Sequence, residues 1–555
     1  MGARDLIGDW HHTVRSARGW RRRGLAFAAG ALSNLALAPF FFAPILFLTL
    51  PVLVWLIDDA AAHPGGRREA ARAAGGAGWW FGLGYFLFGL FWIGEAFLVE
   101  SEKFGWLLPL AVSAMPAGLA LFWAGAAAGA ATVWRPGVGR LLVLALFLGA
   151  AEWLRGHILT GFPWNVLGYA LTWPLVLMQS ASLLGIYGLT LIAVPVFSAP
   201  LVLTAEASRG RLRRRAGLKA LAITGVPLAL LAAYGTAWLA TAPAGTVEGV
   251  RIRIVQPSVA QRDKWQPEKQ AEIFQDHIAL SERDASGKRD GLAEITHVIW
   301  PEAAMPFLPL EHPEALAAIG EMLPDGVFLL TGALRREGAG SGGLAGRPER
   351  AYNSLMAFDG AGALEAVYDK THLVPFGEYL PWQGALEAIG LEQLTRRRGG
   401  FSVGVTPRPV LAVPGLPPVG GLICYEAVFP GVGAQSARRP GLFVNVTNDG
   451  WFGDTTGPRQ HFHQARVRAG EEGVPLVRAA NNGISAVVDS SGRALVMLGM
   501  NERGSVDSHL PAARTFSPYA VLGDSVFLLL GLVFASIVYI VGRRNAVPRA
   551  KDVLR

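Results

Sequence analysis

Three short segments of this chain carry groups that could react together. Cys424 is the only cysteine in 555 residues, set in Gly420-Gly421-Leu422-Ile423-Cys424-Tyr425-Glu426. One cysteine forms neither an intramolecular disulfide nor a multi-cysteine metal site, so it is a small core residue or a nucleophile. Ile299-Trp300-Pro301-Glu302 sets a carboxylate just after an apolar run. Tyr368-Asp369-Lys370 sets an ammonium at the end of another. A free thiol titrates at about 8.5, so as a nucleophile it needs a base and a positive neighbour. Glu302 can be that base. Lys370 can stabilise the thiolate and the oxyanion of a tetrahedral intermediate. His372, His461 and His463 leave a Cys–His pair open. His461 and His463 also look like a metal pair, but two residues apart they fall on different helix faces. No metal or cofactor is expected.

These groups need elements that bring them to one place. Residues 250–258 alternate as a strand does, and Pro267 to Ala285 reads as an amphipathic helix. Strands follow at His297–Trp300 and Val327–Leu334, with a helix at Pro313–Leu323 between them. More strands are predicted near 352–358, 364–369, 420–424, 442–447 and 484–489, with a helix from Gln460 to Gly473. This order argues an α/β domain with a largely buried sheet. Glu302, Lys370 and Cys424 each close a predicted strand, and strand ends at one sheet edge are where sites form. The Gly-rich run 337–349 reads as a flexible loop.

The rest of the chain is built for lipid. It is 52% hydrophobic and 17% charged, against roughly 25% charged in a soluble protein. The apolar excess sits in 24–240 and 518–542. A bilayer core takes about 20 apolar residues per helix. Spans are expected near 24–39, 41–57, 77–98, 106–131, 138–154, 177–203, 217–240 and 518–542. Arg21-Arg22-Arg23 before the first gives it the look of a signal peptide, but the chain stays apolar beyond any cleavage site, so an uncleaved anchor is expected. The domains are then 1–241 in the membrane with about seven helices, 242–517 outside it, and 518–555 as a last span and tail.

Basic residues set the expected orientation. Arg15, Arg18, Arg67, Arg68, Arg72, Arg135, Arg140, Arg209, Arg211, Arg543, Arg544, Arg549 and Lys551 all fall in alternate connections or the two tails. Those face the cytoplasm, which puts 242–517 on the periplasmic side. The net charge of +8 is spent on this topology, so no nucleic-acid partner is expected. The opposite connection Arg155–Pro174 holds Gly161-Phe162-Pro163-Trp164 and Trp173. It reads as an aromatic interfacial belt or as a lip over which substrate enters.

Trp300-Pro301-Glu302, Lys370-Thr371-His372-Leu373-Val374-Pro375-Phe376-Gly377-Glu378 and Cys424-Tyr425-Glu426 together resemble the nitrilase (carbon–nitrogen hydrolase) superfamily. Gly161-Phe162-Pro163-Trp164, Lys264-Trp265, Asn448 to Asp454 and Asn481-Asn482-Gly483-Ile484 extend the resemblance to its membrane branch, the apolipoprotein N-acyltransferase family. The resemblance implies an αββα sandwich beside a multi-span helical domain. It implies Glu302 as general base, Lys370 as oxyanion stabiliser and Cys424 as nucleophile. Glu378, Tyr425 and Glu426 would support them, and Trp265 and Trp451 would bind substrate. It further implies a phospholipid acyl donor, a diacylated apolipoprotein acceptor, a Cys424 thioester between them, a bacterial inner-membrane location and a monomer. Phe376, Leu380, Trp382 and Phe401 are candidate apolar loops over the thioester.

Two other readings fit part of the chain. A membrane-anchored amidase for small amides would use the same three groups but has no need of eight spans. A transporter or receptor with an external binding domain would place functional charge inside the spans, where little beyond Glu95, Glu152 and Arg155 is found.

Overall fold

The computed structural model describes residues 3–135, 137–205, 211–337 apart from 285 and 290, 350–382, 384, 388, 400–433 and 435–546. Residues 338–349 of the glycine-rich run, and Arg209, Arg549 and Lys551, lie outside the described residues. The chain divides into two compact units. The first comprises Met1–Gly94, Phe104–Ala240 and Leu522–Arg555; the second comprises Glu95–Lys103 and Thr241–Val521.

The first unit is helical. Among the described residues five helices are long and apolar enough to cross a membrane: Ala43–Ala61, Gly66–Leu98, Ser101–Thr132, Ala181–Leu203 and Arg215–Ala240. Ser525–Val541 is a shorter apolar helix. The segment expected at 24–39 is instead the helix Gly19–Ser33, followed by a single 3-10 turn at Asn34–Ala36. The turn closes at Leu37, whose backbone is extended at φ −101° and ψ 174°. The stretch 138–154 is the helix Gly139–His157, and it carries a buried ion pair. Arg155 donates to Glu152 Oε2, while Trp123 Nε1 donates to Glu152 Oε1 at 2.5 Å. Arg155 also donates to the carbonyls of Phe162 and Trp164. Paired and hydrogen-bonded in this way, two charges are tolerated among apolar helices. The pair also anchors the connection expected to be a belt or a lip. Trp164 there is buried against Trp92, with ring centroids 4.7 Å apart, so it does not face lipid.

The second unit is built from two six-stranded sheets. The strands are β1 (Thr246–Gln256), β2 (His297–Trp300), β3 (Phe328–Glu337), β4 (Arg350–Phe358), β5 (Leu364–Asp369), β6 (Val410–Leu411), β7 (Val419–Ile423), β8 (Leu442–Thr447), β9 (Leu476–Ala480), β10 (Ser485–Val488), β11 (Ala494–Leu498) and β12 (Gly504–Pro511). One sheet runs β12-β1-β2-β3-β4-β5 and the other β11-β10-β9-β8-β7-β6. Each has a parallel centre: β1, β2 and β3 in the first, β7, β8 and β9 in the second. Parallel strands need both faces covered, and both are. Ile252, Ile254, Ile299, Leu330 and Leu355 of the first sheet share one core with Val419, Ile423, Val444 and Val477 of the second. Helices α1 (Gln270–Ser281) and α2 (Pro313–Met322) cover the outer face of the first sheet through Phe274, Leu280, Ala315 and Ile319. Helix α3 (Thr456–Glu472) is buried along most of its length and packs on β9. This is the αββα sandwich.

Candidate active site

The carboxyl ends of β2, β5 and β7 deliver Glu302, Lys370 and Cys424 respectively. Glu302 lies in a turn where Ala303 has φ +46°, and it leans on β3 at Gly332. A Cβ at Gly332 would sit 2.5 Å from Glu302 Cα and 2.8 Å from the Pro301 carbonyl. Gly332→Ala is therefore expected to push the Glu302 turn outward. It should cost ~1–3 kcal/mol of stability and slow the reaction at this site by about 10²-fold through misplacement of the carboxylate. A melting temperature and a turnover rate check the two parts.

The three chemistry-bearing groups are embedded in a shared polar cluster. Asn353 Nδ2, from β4, donates to Glu302 Oε1 at 2.8 Å and to Glu378 Oε1 at 3.0 Å. Lys370 Nζ donates to Glu378 Oε1 at 2.9 Å and lies 3.9 Å from Glu302 Oε1. The Asn448 backbone N–H donates to Glu302 Oε2 at 2.9 Å, and the Val374 N–H to Glu378 Oε2 at 2.8 Å. Both carboxylates and the ammonium are buried.

Burial raises the Glu302 carboxyl above its usual range, an effect that Lys370 partly offsets and Glu378 reinforces. Burial opposes charge on Lys370, but Glu378 and Glu302 win and hold its ammonium well above the ordinary value. Burial and then the Glu302 charge push the Cys424 thiol far up, with Lys370 opposing. The resting state is thus a thiol beside a carboxylate, and a base is needed to ionise it. Cys424 itself has φ +50°, a region that residues with a side chain rarely adopt.

Glu426 has a different job from its neighbours. Its carboxylate accepts from Tyr368 Oη at 2.8 Å, the Thr371 N–H at 2.9 Å, the His372 N–H at 3.0 Å and the Ile423 N–H at 2.8 Å. Arg408 Nη1 lies 3.3 Å away. Burial would raise this carboxyl, but Arg408 and the Ile423 N–H hold it below the usual range. It pins the residues after Lys370 to the strand that ends in Cys424. The Tyr425 ring packs edge-on to Phe429 at 5.0 Å and beside His372 at 5.8 Å.

Trp265 is 39% exposed and Trp451 half-buried on the 3-10 turn Asp449–Phe452. The segment Glu95–Lys103 belongs to this unit, and Glu95 packs on Gly453 so closely that a Cβ there would be 2.7 Å from Glu95 Oε2. Phe376 and Trp382 are exposed, at 53% and 80%. Leu380 is buried, and the Phe401 N–H is bonded to the Glu378 carbonyl at 2.9 Å. Among the described residues no cluster of His, Cys, Asp or Glu is arranged to hold a metal.

Three residues at the site have no role assigned to them from sequence. Asn353 and Asn448 carry the hydrogen bonds to Glu302, and the signal for the former was a lone asparagine inside the buried strand β4. Lys264 was noticed only for its place beside Trp265. It is buried and donates to the Glu302 carbonyl at 2.9 Å, and burial lowers it to about 8 against the pull of Glu302 and Cys424.

Two family models match this chain. Residues 29–199 match the apolipoprotein N-acyltransferase N-terminal domain, and residues 251–515 match carbon–nitrogen hydrolase. An apolipoprotein N-acyltransferase of Rhodopseudomonas palustris is 49% identical over 92% of this chain and 93% of its own length. The chain belongs to the apolipoprotein N-acyltransferase family. A second family member, from Bradyrhizobium diazoefficiens, is 47% identical over 93% of this chain and 95% of its own. Among solved structures, an amidase from Nesterenkonia sp. matches at 21% identity and a TM-score of 0.33, over 49% of this chain and 93% of that one. Family membership makes the chain an acyltransferase with a carbon–nitrogen hydrolase domain. Its apolar helices and bacterial relatives fit a protein of the bacterial inner membrane.

Proposed function

We propose that this protein moves a fatty acyl chain from a phospholipid to the α-amine of an apolipoprotein's N-terminal diacylglyceryl-cysteine, through a thioester on Cys424. The observation that carries this reading is 49% and 47% identity, over more than nine-tenths of the chain, to proteins named apolipoprotein N-acyltransferase. The buried cluster around Glu302, Lys370 and Cys424 supports a mechanism for it.

In the first half, Glu302 takes the thiol proton and the Cys424 sulfur adds to the sn-1 ester carbonyl. Lys370 and the Tyr425 N–H stabilise the oxyanion. The tetrahedral adduct collapses, the lysophospholipid alkoxide leaves, and Glu302 returns the proton to it. In the second half the acceptor amine, having lost one proton to solvent, attacks the thioester. Glu302 takes a second proton from its nitrogen and passes it to the departing sulfur, so an amide and the free thiol result. Glu378 keeps Lys370 placed, and Glu426 keeps the Lys370 and Cys424 segments together. Trp265 and Trp451 line the path of the acyl chain. The catalytic unit faces the periplasm, an orientation that the basic loops support, and the protein works as a monomer.

The test is direct. The purified protein is incubated with phospholipid radiolabelled in its sn-1 chain, and label on Cys424 is sought by mass spectrometry. Label that survives denaturation, is released by hydroxylamine and is absent from Cys424→Ala is the expected result. Unlabelled wild-type protein, or equal label in Cys424→Ala, sinks the thioester. Release of the label to water, but not to a diacylated lipopeptide, would return the amidase reading.

A further inference from the structure

We propose that His461 is a positioning residue that aims the oxyanion hole by gripping the carbonyl oxygen of Cys424. This rests on the reading of Cys424 as nucleophile and of the Tyr425 N–H as an oxyanion donor.

His461 Nε2 lies 3.0 Å from the Cys424 carbonyl oxygen. A carbonyl only accepts, so Nε2 carries a proton whatever the charge of the ring. The peptide between Cys424 and Tyr425 is trans. In a planar trans peptide the C=O and the next N–H point in opposite directions. Whatever fixes the Cys424 carbonyl therefore fixes the Tyr425 N–H on the far side of the same plane. The plane needs such a hold, because Cys424 sits at φ +50°, where its own backbone preference offers none.

The grip is itself braced. His461 Nδ1 lies 2.9 Å from Asp449 Oδ1 and 3.1 Å from Arg478 Nη2. Arg478 Nη2 donates to Asp449 Oδ2 at 2.7 Å, and Thr447 Oγ1 donates to Asp449 Oδ1 at 3.0 Å. Arg478 also donates to Asn445 Oδ1, and Asn445 Nδ2 donates to the Leu422 carbonyl at 2.8 Å. The path closes on itself: it leaves β7 at Cys424, crosses α3, β9 and β8, and returns to β7 at Leu422. All of its side chains are buried. Burial works against charge on Asp449, yet Arg478 and His461 keep its carboxyl at about 2, so the brace stays ionised. A histidine so close to the nucleophile suits a Cys–His base by sequence, but this Nε2 is committed to the backbone.

Two rates separate the proposal from a merely structural role. Thioester formation from a radiolabelled phosphatidylethanolamine–phosphatidylglycerol mixture develops an oxyanion. Alkylation of Cys424 by iodoacetamide does not. His461→Leu leaves the carbonyl unheld and should acylate about 10²–10³-fold more slowly, while its alkylation stays within about threefold. His461→Gln keeps an N–H donor at similar reach and should acylate within about tenfold of wild type. The proposal is overturned if His461→Leu acylates normally or loses both rates alike. It is also overturned if His461→Gln alkylates normally yet fails to acylate, and this arm decides alone should the leucine variant not fold. A wild-type protein that never acquires label at Cys424 refutes the nucleophile itself, a result distinct from any difference among His461 variants.

Discussion

Lys370→Met will both destabilise the catalytic unit and stop transfer, and the two losses will separate in a double variant. The ammonium is buried with one carboxylate at hydrogen-bond distance and a second 3.9 Å away. Removing it leaves Glu302 and Glu378 buried side by side, joined only through Asn353 Nδ2. Breaking a buried pair in this way costs ~3–5 kcal/mol, which in a unit of this size lowers the melting temperature by roughly 10 °C. The Glu302 carboxyl responds by holding a proton more readily. Glu302 already sits above its usual range with Lys370 present to lower it, so without Lys370 it rises further and serves less well as a base. Transfer should fall by at least ~10³-fold, since a base and an oxyanion partner go together. Adding Glu378→Gln removes one of the two stranded charges and should restore most of the melting temperature. It restores no cation, so transfer should stay lost. If the double variant regains activity, Lys370 serves only to neutralise Glu378.

The strand ends were legible because each announces itself locally. Ile299-Trp300, Val367-Tyr368 and Leu422-Ile423 are apolar pairs that run into a charged or nucleophilic group, and β2, β5 and β7 are found where the pattern puts them. What held those groups was less legible. Asn353 is 51 positions from Glu302, and Asn448 is 146, so only the folded sheets bring them together. Strand β9 was missed because Arg478 breaks its apolar run; the arginine is buried there with Asp449 as its partner. Strand β12 was missed for a similar reason: Asp507 interrupts its apolar residues, and that carboxylate is paired across the ladder with Arg253 on β1. Charge that is paired in space reads as surface in sequence. The membrane unit shows the converse failure. Apolar content ran past Ser33, but composition is blind to the turn that ends the helix there.

Glu302→Gln should change the pH dependence of the site as well as its speed. In the wild type the thiol is held far up by burial and by the Glu302 charge, so little thiolate exists without proton transfer to that carboxylate. The rate of thioester formation should therefore rise with pH as Glu302 ionises. Because burial raises that carboxyl, the rise lies above the ordinary carboxylate range near 4.3. Glutamine preserves the size of the group but keeps one oxygen, enough for either Asn353 Nδ2 or the Asn448 N–H and not for both, so a modest fall in melting temperature should accompany it. It cannot take a proton. Acylation should drop by ~10²–10⁴-fold, the usual share of a general base. Loss of the carboxylate charge also lowers the Cys424 thiol from its wild-type position, though burial still keeps it high. The residual rate should then climb about tenfold per pH unit through neutrality, following the small thiolate fraction, with no plateau. Rates of label incorporation between pH 5 and 9 read both profiles. A glutamine variant that keeps the wild-type profile at reduced height would mean another group takes the thiol proton, and Lys264, buried and lowered to about 8 beside the same pair, would be the first to examine.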